Sequence, residues 1–81
     1  MPVNAGYRAT SDNTVMLRFG RRLRDLRKQQ GWTQVQMSLL LKVDRAYLSN
    51  VERGVKSISL PMIQHIAHGM GKTVIDLLKD L

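Results

Sequence analysis

Residues 33–53, TQVQMSLLLKVDRAYLSNVER, decide the fold. They read as two short helices joined by a tight turn. The first spans about 34–41 behind Thr33 and the second about 45–53 behind Asp44, because Thr and Asp side chains accept from the orphan N–H groups that open a helix. Met37, Leu41, Val43, Leu48 and Val51 form the apolar set that two steeply crossed helices bury against each other, and Ser38 is small where they approach. The second helix carries a polar, partly basic face. A helix, a short turn and a helix with such a face make the shape that fills a DNA major groove.

Upstream, Val15, Phe19, Leu23 and Leu26 recur at four- and three-residue intervals and mark one buried stripe of a long helix. Capping residues cluster at 11–13, so that helix is expected to start there and to run to about Gln30, with Gly31 ending it. Trp32, the only tryptophan, stands at the helix junction as a core plug. Residues 1–11 show no sustained periodicity and read as a flexible arm, from which Tyr7 and Arg8 could reach along DNA; residues 12–81 form the folded domain.

Downstream, the loop from Arg53 to Ile58 precedes a fourth helix capped by Ser59, with Pro61 in its first turn and Leu60, Ile63, Ile66, Ala67 and Met70 as its apolar face. Gly71 ends it, and Thr73 caps a last helix from Val74 to about Lys79. There are five helix signals and no strand signal. The expected class is all-α.

Eighty-one residues are enough for one core and too few for two. The absence of cysteine excludes disulfides and thiolate metal sites, and His65 and His68 lack a third ligand, so they read as helix surface; no metal or cofactor is expected. Thirteen Lys and Arg against six Asp and Glu give a net charge of +7, which points to a polyanionic partner. No apolar run approaches the ~20 residues of a membrane span, so a cytoplasmic protein without membrane contact is expected. Catalysis is disfavoured as well: no histidine lies beside a nucleophile, and there is no Gly-rich phosphate loop.

The run Gly31-Trp32-Thr33-Gln34, then 37–44 MSLLLKVD, then 47–54 YLSNVERG, resembles the helix-turn-helix of lambda-type repressors and Cro proteins, the XRE type. Similarity continues through Ser59-Leu60, Ile66-Ala67, Gly71 and Asp76-Leu77-Leu78, covering roughly residues 19–78. The resemblance implies a five-helix lambda repressor-like DNA-binding domain, acting in the cytoplasm on the nucleoid. One departure is Lys42, where the family usually has a turn glycine; a Cβ in a left-handed turn costs about 1 kcal/mol. The resemblance also pairs Arg27 with Glu52, either as a structural ion pair or as one that presents the guanidinium to a phosphate. It gives Gln34, with the adjacent helix N-terminus, a phosphate contact.

Helical spacing puts Arg45, Ala46, Ser49 and Asn50 on one side of the recognition helix, facing bases. Arg45 suits guanine O6 and N7, Asn50 suits adenine N6 and N7, Ala46 can meet a thymine methyl, and Ser49 serves base or phosphate. Tyr47 can send its hydroxyl to a phosphate or be half-buried scaffold. Lys42, Arg53 and Lys56 are further phosphate candidates beside Gln34 and Arg27. One module contacts few base pairs, so a homodimer on a pseudo-palindromic double-stranded operator is expected. Val74, Ile75, Leu77, Leu78 and Leu81 are its candidate interface, unless those side chains merely close the monomer core. The 44–49 run DRAYLS looks most like the controller proteins of restriction–modification systems, small dimers that regulate their own operon, though phage repressors and plasmid-type regulators share such runs. The alternative class is a protein-interaction module, antitoxin-like or an adaptor, using the helix-turn-helix as scaffold.

Overall fold

The computed structural model describes residues 4–81, with side chains described from Val15 onward. Five helices follow in order: α1 Asn4–Gln29, α2 Gln34–Leu41, α3 Arg45–Glu52, α4 Leu60–Gly69 and α5 Val74–Leu78. Among the described residues there is no strand. α3 packs on α1 and α2, α4 on α2 and α5, and α5 returns to α1, so the α2–α3 pair is held from both sides.

Each helix after α1 starts on a polar side chain that accepts from the backbone three residues on. Thr33 accepts from Gln36 N, and the Gln36 side chain returns a bond to Thr33 N–H, a reciprocal capping box. Asp44 accepts from Tyr47 N at 2.9 Å, and Ser59 from Met62 N. Thr73 and Asp76 form a second capping box. Lys42 takes the left-handed turn itself, at φ 56° and ψ 48°, and donates its N–H to Ser38 O. It does so because Val43 must turn inward to be buried while the chain reverses between α2 and α3.

The core comprises Phe19, Leu23 and Leu26 of α1, Met37 and Leu41 of α2, Val43 of the turn, Leu48 and Val51 of α3, Ile63, Ile66, Ala67 and Met70 around α4, and Leu77 of α5. Trp32 packs against it, partly buried. Close approach replaces bulk at one crossing: a Cβ on Gly20 would stand 2.5 Å from the Glu52 carbonyl oxygen, so α1 and α3 meet there backbone to backbone.

Three expectations change. α1 begins by Asn4, not at 11–13, because Ser, Asp and Asn cost only tenths of a kcal/mol inside a helix and do not by themselves stop one; the side chains of Tyr7 and Arg8 lie outside the described residues. Val15 is 49% exposed, since the buried stripe of α1 narrows beyond Phe19. Leu60 is 73% exposed at the open first turn of α4, and Met62 packs on the core instead.

Candidate nucleic-acid interface

α3 is amphipathic in the sense a reading head requires. Leu48, Val51 and Glu52 are buried, which fixes the rotation of the helix about its axis. Arg45 and Ala46, in its first turn, are exposed, and Ser49 and Asn50 are half-exposed on the following turn. Exposed Lys42 precedes them and exposed Arg53 and Lys56 follow, so cations flank the exposed helix face at both ends. Arg53 Nη2 donates to Asn50 Oδ1, a bond that orients the amide in the free protein. Tyr47 is half-buried against the core, and burial pushes its hydroxyl pKa up. The Lys56 ammonium lies 6.0 Å from the Tyr47 ring centroid, at the outer limit of cation–π attraction.

Beneath this face lies a buried polar network. Glu52 accepts from Arg27 Nε at 2.7 Å and from Arg27 Nη2 at 3.0 Å, a bidentate pair. Arg27 Nη1 donates to the Trp32 carbonyl at 2.8 Å. Gln34 Nε2 donates to Glu52 Oε1 at 3.0 Å, so the carboxylate joins α1, the α1–α2 corner, α2 and α3. Arg27 is 8% exposed and its guanidinium is engaged on two sides. The pair is therefore built into the interior, and the phosphate role considered for Arg27 lacks an open path. Gln34, the first residue of α2, is half-buried.

α5 also differs from expectation. Leu77 is 0% exposed and belongs to the monomer core, because the α5 face it occupies closes over α1 and α4. That removes it from the candidate dimer surface. Ile75 points outward at 76% exposure, while Val74, Leu78 and Leu81 are partly buried. Leu78 and Leu81 line, with Val15, Met16, Phe19 and Ile58, an open apolar cavity of about 200 Å³.

Sequence patterning missed a set of polar ties. Arg22 donates to the Asp76 carbonyl through Nε and Nη2, and Arg18 to the Leu81 carbonyl, so two of the surface arginines of α1 hold the last turn of the chain. His65 Nε2 donates to the Leu41 carbonyl at 2.6 Å and satisfies the C-terminus of α2. The Gln34–Glu52 bond is another. All bridge distant positions, and periodicity carries no signal for them.

Comparison with known proteins gives one consistent picture. A family model described as helix-turn-helix matches residues 23–77. Control protein C.MunI from Mycoplasma sp. is 33% identical over 70 residues, which cover 85% of this chain and 95% of that protein. Control protein C.BamHI from Bacillus amyloliquefaciens is 31% identical over 67 residues, 82% of this chain and 83% of the relative. The crystal structure of the restriction-modification controller protein C.AhdI from Aeromonas hydrophila superposes with a TM-score of 0.76 at 34% identity, covering 80% of this chain and 94% of that one.

Proposed function

This chain belongs to the XRE-type helix-turn-helix family of DNA-binding transcriptional regulators, and from that premise we propose that it is the controller of a restriction–modification system and binds a pseudo-palindromic operator as a homodimer. The observation that carries the reading is α3 itself: one face is locked by burial of Leu48, Val51 and Glu52, and the opposite face offers Arg45, Ala46, Ser49 and Asn50. In the proposed complex the first turn of α3 enters the major groove, with Arg45 on a guanine and Asn50 on an adenine. Lys42, Arg53, Lys56, the Tyr47 hydroxyl and the N-terminus of α2 with Gln34 hold phosphates on either side. Buried Arg27 acts through Glu52, which holds Gln34 in place.

The proposed dimer face is Ile75 with Val74, Leu78 and Leu81 at the rim of the apolar cavity. An exposed isoleucine on the short helix whose Leu78 lines an open apolar hollow is surface that a second copy can cover, and a two-fold dimer places two α3 helices one helical turn of DNA apart, about 34 Å. The test is sedimentation combined with operator binding. Wild type is expected as a dimer that loses operator affinity when five base pairs are inserted between half-sites. Ile75→Glu is expected as a folded monomer. A monomeric wild type with full affinity for a single half-site overturns the proposal.

A protein-interaction role has one observation in its favour. α2 carries no charged residue and turns Leu39, 74% exposed, and Leu40 to solvent beside Trp32. Co-purification that depends on Leu39 and Leu40, and not on Arg45, distinguishes that reading from operator binding.

A further inference from the structure

Only part of the positive charge lies on the side of α3. Gly20 and Arg27 of α1 face α3, the one by backbone contact and the other through Glu52. At about 100° per residue, Arg18, Arg22 and Asp25 fall on roughly the opposite side of that helix. There α1 and the residues after α5 enclose an open cleft of about 300 Å³ whose cationic lining is Arg18, Arg21, Arg22 and Lys79.

Three features make this more than a solvated helix surface. Arg22 is held by two donations to the Asp76 carbonyl and Arg18 by one to the Leu81 carbonyl, so both guanidinium groups are fixed before any ligand arrives, with further N–H groups unused among the described residues. Asp25 and Asp80 line the same cleft, yet among the described residues the only ion pair is Arg27–Glu52, so neither aspartate pairs with these four cations. Arg18, Arg21 and Arg22 are neighbours at i, i+3 and i+4, spacings at which like charges repel, and Asp25 on the next turn offsets only part of that charge.

We propose that the cleft between α1 and the end of α5 binds a phosphate-type oxyanion through Arg18, Arg21, Arg22 and Lys79, on the side of α1 away from the recognition helix. Planar guanidinium groups match phosphate oxygens two at a time, and a cleft of this size admits a phosphate with a small organic group attached. Arg18 and Arg22 fix the site and tie α5 down, whereas Arg21 and Lys79 serve the anion alone.

The test is an amide chemical-shift titration with inorganic phosphate at constant ionic strength, chloride making up the balance. Wild type is expected to show saturable shifts at residues 18–25 and 79–81. Arg21→Ala/Lys79→Ala, which leaves both α5 ties intact, should weaken the apparent Kd by about tenfold or more. Arg24→Ala/Lys28→Ala, which removes two exposed cations of α1 outside the cleft, should leave it unchanged. Non-saturating shifts, shifts centred on 42–56, or an unaltered Kd in the Arg21/Lys79 variant overturn the proposal. The same variant separates two sources of phosphate. Unchanged DNA affinity assigns the cleft to a free phosphate compound; a log affinity against log salt slope flatter by about 1.8 assigns it to a DNA backbone reaching round the molecule.

Discussion

Glu52 is the chain's only glutamate, and it accepts from two arginine nitrogens and one glutamine amide in the interior. Removing it leaves the Arg27 guanidinium buried without its anion. Glu52→Ala is therefore expected to destabilise by about 3–5 kcal/mol, seen as a fall in the urea midpoint. Replacing both members, as in Arg27→Met/Glu52→Leu, should recover much of that loss. A double variant as unstable as Glu52→Ala would mean the pair itself, rather than an orphaned charge, carries the stability. Lys42 poses the opposite case. Its side chain is exposed while its backbone sits at φ 56°, so Lys42→Gly should stabilise the fold by about 1 kcal/mol or slightly less. If Lys42 also meets a phosphate, the same substitution flattens the salt dependence of DNA binding by about 0.9.

At the scale of elements, packing and caps give separable predictions. Gly20→Ala drives a methyl to 2.5 Å from the Glu52 carbonyl oxygen, backbone that cannot swing aside. The expected loss is about 1–3 kcal/mol, checked by thermal melting. The Asp76 carboxylate accepts from Thr73 N while Asp76 N donates to Thr73 Oγ1, and the backbone bond from Thr73, joined by its hydroxyl, holds the carboxyl below the usual 3.8. A depressed carboxyl contributes stability above its unfolded-state pKa and loses it as pH falls through the lowered folded-state value. Wild type should therefore lose part of its stability below about pH 4 that Asp76→Asn does not have to lose; parallel acid limbs for the two proteins would contradict this.

The same elements show what a sequence can disclose. Caps and turns were legible because they are local: Thr33, Asp44, Ser59 and Thr73 each act on a donor three residues away. The apolar period placed most of the core for the same reason. What lay hidden depends on which neighbour covers a face. Leu60 and Leu77 are both leucines in the apolar period of a short helix, yet one is open to solvent and the other has no exposed surface, and only the seating of α4 and α5 tells them apart. The ties of Arg18 and Arg22 to α5, and of Gln34 to Glu52, cross 18 to 63 positions and leave no local trace. The Arg27–Glu52 pair crosses 25, and only resemblance to a known family pointed to it.

At the scale of the whole molecule, a five-helix body orients α3 by burial and flanks its exposed face with Lys42, Arg53 and Lys56, in a chain of net charge +7. Charge alone predicts binding to any DNA, with a steep salt dependence; only the first turn of α3 predicts a preferred sequence. The most direct measurement is selection from a random duplex pool, with sequencing, for wild type and Arg45→Ala at two salt concentrations. The account predicts an inverted repeat for wild type, with one guanine preference per half-site relaxed by about 1–3 kcal/mol in the variant. If both proteins select the same sequence with equal strength, or bind all duplexes alike, α3 does not read bases through Arg45 and the central claim is wrong.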